Sequence, residues 1–144
     1  MKSNKQVVVS GGFDPIHVGH LRMFKDAARH GDLTVVINSD EWLLRKKGYI
    51  FMPWDERAEL ISSFTCVSDV LQAKDDDNTV CESLREIAPD IFANGGDRGE
   101  NNTPESRLCE ELGIQTIYNV GGEKVRSSST LVSKAKRSKK IIAL

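Results

Sequence analysis

At 144 residues the chain is long enough for one domain with a substantial core. Its 28% charged and 39% hydrophobic residues are ordinary for a globular protein and exclude a disordered or fibrous chain. A net charge of −1 leaves the bulk field neutral towards nucleic acid, and no apolar stretch reaches bilayer-spanning length.

Val7-Val8-Val9 is short, apolar and β-branched, as a buried parallel strand requires. The six residues before it show no secretory leader, which predicts a cytoplasmic protein. Ser10-Gly11-Gly12-Phe13-Asp14-Pro15 reads as a tight glycine loop leading into a helix over about Val18–His30. Val18, Leu21, Phe24 and Ala28 form that helix's apolar stripe, and Gly31 supplies a left-handed cap. Leu33–Ile37 is the second buried strand, which completes a right-handed βαβ unit.

Asn38-Ser39-Asp40-Glu41 opens a short helix, with Asp40 read as its cap, through Trp42-Leu43-Leu44. Arg45-Lys46-Lys47-Gly48 then reads as a basic loop, either a solvated turn or an arm over a triphosphate. Pro53 and the acids after it suit a helix first turn, with Ala58, Ile61 and Phe64 on the apolar face. Val67–Ala73 is a third strand with Val70 and Leu71 inside. Asp75-Asp76-Asp77-Asn78 is an acidic turn and cap, and Thr79–Ile87 is a helix stopped by Ala88-Pro89. Asp90–Asn94 is the fourth strand and runs into Gly95-Gly96-Asp97. Thr103 caps a helix that ends at Gly113, and Ile114–Val120 is the fifth strand. A polar segment through Ser127-Ser128-Ser129-Thr130 opens a last helix, and Lys134–Lys140 gives a solvated basic end. Five strands alternating with helices predict one Rossmann-like, doubly wound α/β domain over residues 1–144, with a five-stranded parallel sheet. Cys66, Cys81 and Cys109 form no CxxC pair and read as structural thiols of a reducing compartment.

The loops of interest all follow strands, where open α/β sheets bind ligands. The first loop is neither GxGxxG nor a P-loop, which disfavours a dinucleotide site. It offers instead two histidines three residues apart at a helix start, on one face, beside glycines that let the backbone approach a ligand. Free N–H groups and the helix dipole favour phosphate there. Trp42 and Trp54 read as packing residues. Arg57 has two readings, an acceptor-phosphate ligand or a surface partner of Asp55 or Glu56.

Gly12-Phe13-Asp14-Pro15-Ile16-His17-Val18-Gly19-His20 resembles the HxGH signature of the nucleotidylyltransferase superfamily. Small members include glycerol-3-phosphate cytidylyltransferase and the heptose-1-phosphate adenylyltransferase domain. The likeness continues through Asn38–Glu41, Lys46, Lys47, Arg57, Gly95-Gly96-Asp97 and Ser128-Ser129-Thr130, in the family's order. The arginine that leads the family's late motif has no direct counterpart, and Lys124 and Arg126 are its nearest substitutes. Gly95-Gly96-Asp97 looks closer to the adenylyltransferase form.

The resemblance implies transfer of a nucleotidyl group from CTP or ATP to a phosphorylated small molecule, such as glycerol 3-phosphate or a sugar 1-phosphate, with release of pyrophosphate. It implies His17, His20 and Lys46 as catalytic. Gly11, Gly12, Phe13, Lys47, Gly95, Asp97, Ser128, Ser129 and Thr130 join the histidines in nucleotide binding, and Asp14 and Arg57 in acceptor binding. Mg2+ is expected through the triphosphate rather than on protein ligands, with a homodimer and no nucleic-acid or membrane partner. Two rivals use the same residues. One is a non-catalytic nucleotide-binding module. The other is a metallophosphoesterase with Asp14, His17, His20 and Asp97 as ligands, which is short of donors because only His30 remains among the histidines.

Overall fold

The computed structural model describes residues 5–95, 103–122, 128 and 131–135. Its strands are β1 (Gln6–Gly11), β2 (Asp32–Ile37), β3 (Asp69–Gln72), β4 (Ile91–Ala93) and β5 (Gln115–Ile117). They form one parallel sheet in the order β3-β2-β1-β4-β5. The helices are α1 (Val18–Ala28), α2 (Asp40–Lys47), α3 (Trp54–Ser62), α4 (Cys81–Ile87) and α5 (Pro104–Leu112), and residues 131–135 are also helical. This is the doubly wound α/β fold the alternation predicts. Among the described residues no helix is long and apolar enough to cross a membrane.

Strand alternation explains why the sheet is covered twice. Val7 and Val9 on β1, with Leu33, Val35 and Ile37 on β2, meet Phe24 and Ala27 of α1 and Ile61 of α3. Val8, Val36 and Phe92 face the other way, onto Cys81 and Leu84 of α4 and Leu108 and Cys109 of α5. Burial pushes the Cys109 thiol up to about 11, so it stays protonated inside the second layer.

Several elements differ in extent from their sequence reading. Helix α1 stops at Ala28, and it buries Phe24 and Ala27 while Val18 is exposed. Its C-cap is Arg29 in right-handed geometry, so Gly31 is not a left-handed cap. Glycine is needed at 31 because a Cβ there would sit 2.2 Å from the Lys5 carbonyl oxygen. Strand β3 is shorter than Val67–Ala73 and lies at the sheet edge, so Val70 packs inward and Leu71 is exposed. Strands β4 and β5 are three residues each. The basic run is not a loop: Arg45, Lys46 and Lys47 form the last turn of α2, where cations suit the helix dipole, and Gly48 (φ 81°) caps it. Ser39, not Asp40, is the N-cap, its Oγ accepting from Trp42 N at 3.0 Å.

The direction in which successive strands are added to the sheet reverses between β1 and β4. Those strands pair only at Val7–Ile91 and Val8–Phe92. Beyond that, Asn94 turns to β5, its N–H donating to the Ile117 carbonyl at 2.8 Å. The ends of β1 and β4 therefore part at the switch point, which opens a cleft.

On the α1 side, two glycines bring late loops against one methionine. A Cβ on Gly95 would lie 2.6 Å from Met23 Sδ, and one on Gly121 (φ 90°) 2.8 Å from Met23 Cα. The Gly121 N–H donates to Asp26 at 2.8 Å, and Arg29 pairs with the same carboxylate. The Gly121 bond leads in holding the Asp26 carboxyl below its ordinary 3.8. A lowered folded-state value stabilises above the unfolded one and is lost as pH falls through the folded one. The unfolding free-energy difference between wild type and Asp26→Asn should thus be flat above about pH 5 and shrink as the pH drops further. Urea titrations across pH 2–8 check this, and a difference that persists undiminished in acid contradicts the Asp26–Gly121 tie.

Candidate active site

The histidine motif builds the start of α1. His17 is its N-cap and His20 its third residue. His17 Nδ1 accepts from Gly19 N at 3.1 Å, and His20 Nδ1 accepts from His17 N at 3.2 Å. This is a reciprocal capping box made of imidazoles in place of hydroxyl and carboxylate. The rings stack with centroids 3.7 Å apart. An Nδ1 that accepts leaves the proton of a neutral imidazole on Nε2. The cap thus sets both tautomers, and each ring carries an Nε2–H donor at a helix N-terminus.

Phe13 supports the pair from below. Its ring meets His20 edge-on at 4.9 Å and Phe24 at 5.2 Å, and it is buried. Its φ of 53° is strained for a residue with a bulky side chain, at a cost of about 1–2 kcal/mol. The glycines before it serve this packing. A Cβ on Gly11 would lie 2.9 Å from Phe13 Cζ, and one on Gly12 3.1 Å from Leu43 Cδ2. The directions a Cβ would take from those two residues are thus occupied by the protein's own side chains.

Arg57 and Asp14 do not have the surroundings read from the sequence. Arg57 is fully buried on α3 and pairs with neither Asp55 nor Glu56. Its Nε donates to Met52 O (2.9 Å), its Nη1 to Gly12 O and Asn38 O (both 2.8 Å), and its Nη2 to Asp40 Oδ1 (2.6 Å). A guanidinium committed to four oxygens and closed to solvent cannot reach an acceptor phosphate. Asp40, expected as a cap, is its ionic partner and also accepts from Trp54 N at 3.0 Å. Asp14 is buried, and its two oxygens accept from Phe51 N and Met52 N. Both residues hold the glycine loop to the segment before α3. The Asp14 carboxylate is spent on backbone, which removes it from the metallophosphoesterase ligand set. Among the described residues no group of histidine, cysteine, aspartate or glutamate side chains is arranged to hold a metal.

Lys46 is exposed and Lys47 half-buried on α2. Ser128 Oγ donates to Pro15 O at 2.8 Å, which brings the C-terminal helical segment to the loop before His17. Asp97, Lys124, Arg126, Ser129 and Thr130 lie outside the described residues.

Across the glycine turn lies a cleft of about 260 Å³ at the β1–β4 parting, bounded by Gly11, Asn38, Trp42, Asn94, Glu105 and Tyr118 among others. Trp42, expected to be packing, forms part of its wall. The residue the sequence reading missed is Asp75. It is buried and accepts from Asn38 Nδ2 (3.0 Å), Ser39 N (2.9 Å) and Ser39 Oγ (2.7 Å), so it orients the β2–α2 junction. Within a run of three aspartates nothing in the sequence marks it. Asp77 plays the local part expected of that run, with the backbone N–H and hydroxyl of Thr79 holding its carboxyl below 3.8.

Replacing Arg57 by alanine should cost about 3–5 kcal/mol, because Asp40 and three carbonyls lose their donor together. Lysine should restore little of this, since an ammonium cannot span four oxygens. Denaturant unfolding of both variants checks this, and near-wild-type stability for Arg57→Lys contradicts the bracing role.

Residues 8–141 match the cytidylyltransferase-like family. The chain is 36% identical over 136 residues to the bifunctional protein HldE of Streptomyces coelicolor, covering 90% of this chain and 28% of that protein. It therefore spans about a quarter of the length of such relatives. It is 31% identical over 141 residues to the FAD synthase of Ferroglobus placidus, covering 97% of this chain and 90% of that one. In fold it resembles the lipopolysaccharide core biosynthesis protein of Thermoplasma volcanium, with a TM-score of 0.67 at 24% identity over 85% of this chain and 98% of the other. A doubly wound sheet, a histidine-capped first helix at its switch point and a family match along nearly the whole chain agree: this protein belongs to the cytidylyltransferase-like family.

Proposed function

We propose that the chain is a nucleotidylyltransferase that transfers NMP from CTP or ATP to a phosphorylated small molecule and releases pyrophosphate. The observation that carries this reading is the imidazole capping box, which sets two Nε2–H donors side by side at the N-terminus of α1. Family membership and the similarity to an FAD synthase support the same class of reaction.

The reaction asks little covalent chemistry of the protein. An acceptor phosphate oxygen attacks the α-phosphorus, a new P–O bond forms, and the bond from that phosphorus to the pyrophosphate oxygen breaks. Negative charge moves onto the leaving group, so catalysis is positioning and charge stabilisation. His17 and His20 donate to the phosphate oxygens of the reacting centre. Backbone N–H groups at the start of α1 add the dipole's field. Lys46 and Lys47, in the last turn of α2, supply positive charge for the β- and γ-phosphates. Mg2+ enters with the triphosphate as part of the substrate. The residues from Gly95 to Asp97 and Ser128 to Thr130 complete the nucleotide side. A dimer of this chain and a cytoplasmic location belong to the same proposal.

The histidines' two roles separate by mutation. His17→Ser with His20→Gln rebuilds an ordinary capping box and removes both imidazoles. Helix stability should change by less than about 1 kcal/mol. Pyrophosphate release should fall roughly ten- to a hundred-fold per lost donor, if each bond is felt in the transition state. A coupled pyrophosphate assay with CTP and ATP over a panel of phosphorylated alcohols and sugars checks this. Full activity in the double variant sinks the proposed catalytic role, and nucleotide binding with no release from any wild-type pair favours a non-catalytic module.

A further inference from the structure

Met23 is one of three methionines in the chain and lies on α1 between His20 and Asp26. Residues three apart on a helix are neighbours, so the three side chains form one row. At one end of the row is the imidazole stack. At the other, the Asp26 carboxylate accepts from Gly121 N at 2.8 Å. The thioether stands between them.

Two loops rest on it. Met23 Sδ is 2.6 Å from the point where a Cβ of Gly95 would stand, and the Val120 carbonyl oxygen is 3.8 Å from the same point. A Cβ of Gly121 would be 2.8 Å from Met23 Cα. Backbone bonds knit the two loops together: Asn94 N donates to Ile117 O at 2.8 Å and Val120 N to Asn94 O at 3.1 Å. The residues after β4 and those after β5 therefore sit on α1 as one unit, fitted to Met23 by the missing side chains of two glycines. The seat is not sealed, because Met23 is half-buried and Gly95 is exposed.

A thioether suits this seat, being apolar and deformable. A sulfoxide does not. Its oxygen adds bulk where the sulfur already takes the place of a side chain at 95. It also brings a strong acceptor close to the Val120 carbonyl, while the N–H groups of Asn94, Val120 and Gly121 already donate elsewhere.

We propose that Met23 is a site of reversible oxidation by hydrogen peroxide or an organic hydroperoxide, and that its sulfoxide releases residues 94–95 and 120–121 from α1. In the step a sulfur lone pair attacks the peroxide, an S–O bond forms and the O–O bond breaks. The second oxygen leaves as water or an alcohol. Sulfur loses two electrons and the peroxide gains them. Methionine sulfoxide reductases reverse the step with thiols, two of which become a disulfide as the oxygen leaves as water. The effect on nucleotide rests on the transferase reading, since Gly95 belongs to its nucleotide side. The modification and the loop release do not.

Wild type, Met23→Leu and Met52→Leu are treated with hydrogen peroxide and then with dithiothreitol, which returns reversibly oxidised cysteines to thiols and leaves sulfoxides in place. Peptide mass mapping should find Met23 oxidised in the folded protein. Amide exchange at Asn94, Val120 and Gly121 should then quicken about ten-fold while β1 and β2 stay protected, and the nucleotide KM should rise about ten-fold. Leucine at 23, apolar and of similar volume, should abolish both changes, whereas Met52→Leu should keep them. The reductases should restore the untreated values. Met23→Gln, which carries an oxygen without any peroxide, should reproduce both changes untreated. Quickened exchange at those amides with no pyrophosphate release from any nucleotide–acceptor pair supports the modification and removes the transferase reading. Met23 that stays a thioether in the folded protein, at a dose that oxidises it in the urea-unfolded chain, overturns the proposal. So does a Met23 sulfoxide that leaves amide exchange unchanged, or an equal peroxide effect in Met23→Leu. Quickened exchange with an unchanged nucleotide KM in an active enzyme overturns the link to the nucleotide side.

Discussion

The arrangement around the cleft depends on one buried cation. The guanidinium of Arg57 bonds the carbonyls of Gly12, Asn38 and Met52 and the carboxylate of Asp40. Those oxygens belong to the loop after β1, the end of β2, the segment before α3 and the first residue of α2. Three of them are backbone carbonyls at the ends of elements, and the fourth is a carboxylate that balances the buried charge. A planar fork with several donors settles all of them at once, which a point charge cannot do. Asp14 makes the reciprocal tie, a carboxylate in the glycine loop gathering two backbone N–H groups from the segment before α3. The loop that carries His17 is thus locked from both directions by opposite charges.

That rigidity gives the histidine pair its chemistry. A histidine at a helix start has two tautomers and many orientations. Here the backbone N–H groups of Gly19 and His17 occupy one nitrogen of each ring, and the stack with its neighbour limits rotation. Phe13 beneath them keeps a strained φ because its ring is held by Phe24 and His20 and by the missing Cβ of Gly11. The glycines are therefore required by the protein's own packing as much as by any ligand. The same division appears across the turn, where Asp75 fixes Asn38 and Val80 fixes Glu105. In each case a backbone or buried group takes one end of a polar side chain and leaves the other directed.

The sequence by itself determined the fold class and the order of elements. Apolar β-branched runs of strand length, a stop such as Gly113, and the cap at Thr103 are local signals, because each depends on the residue's own backbone preference. The histidine spacing was legible for the same reason, since a cap and its third residue are covalently near. Tertiary structure alone decided what Arg57, Asp40, Asp14 and Asp75 do. Apart from Met52, five positions before Arg57, their partners are 14 to 45 positions away in the chain, and a charged residue in a helix or an acidic run looks solvated until those partners are placed. It alone also decided the cleft, because the parting of β1 from β4 follows from where the strand order reverses in the sheet and how few residues of β4 pair with β1. Periodicity reports which face of an element is apolar. It does not report which ends of two strands fail to meet.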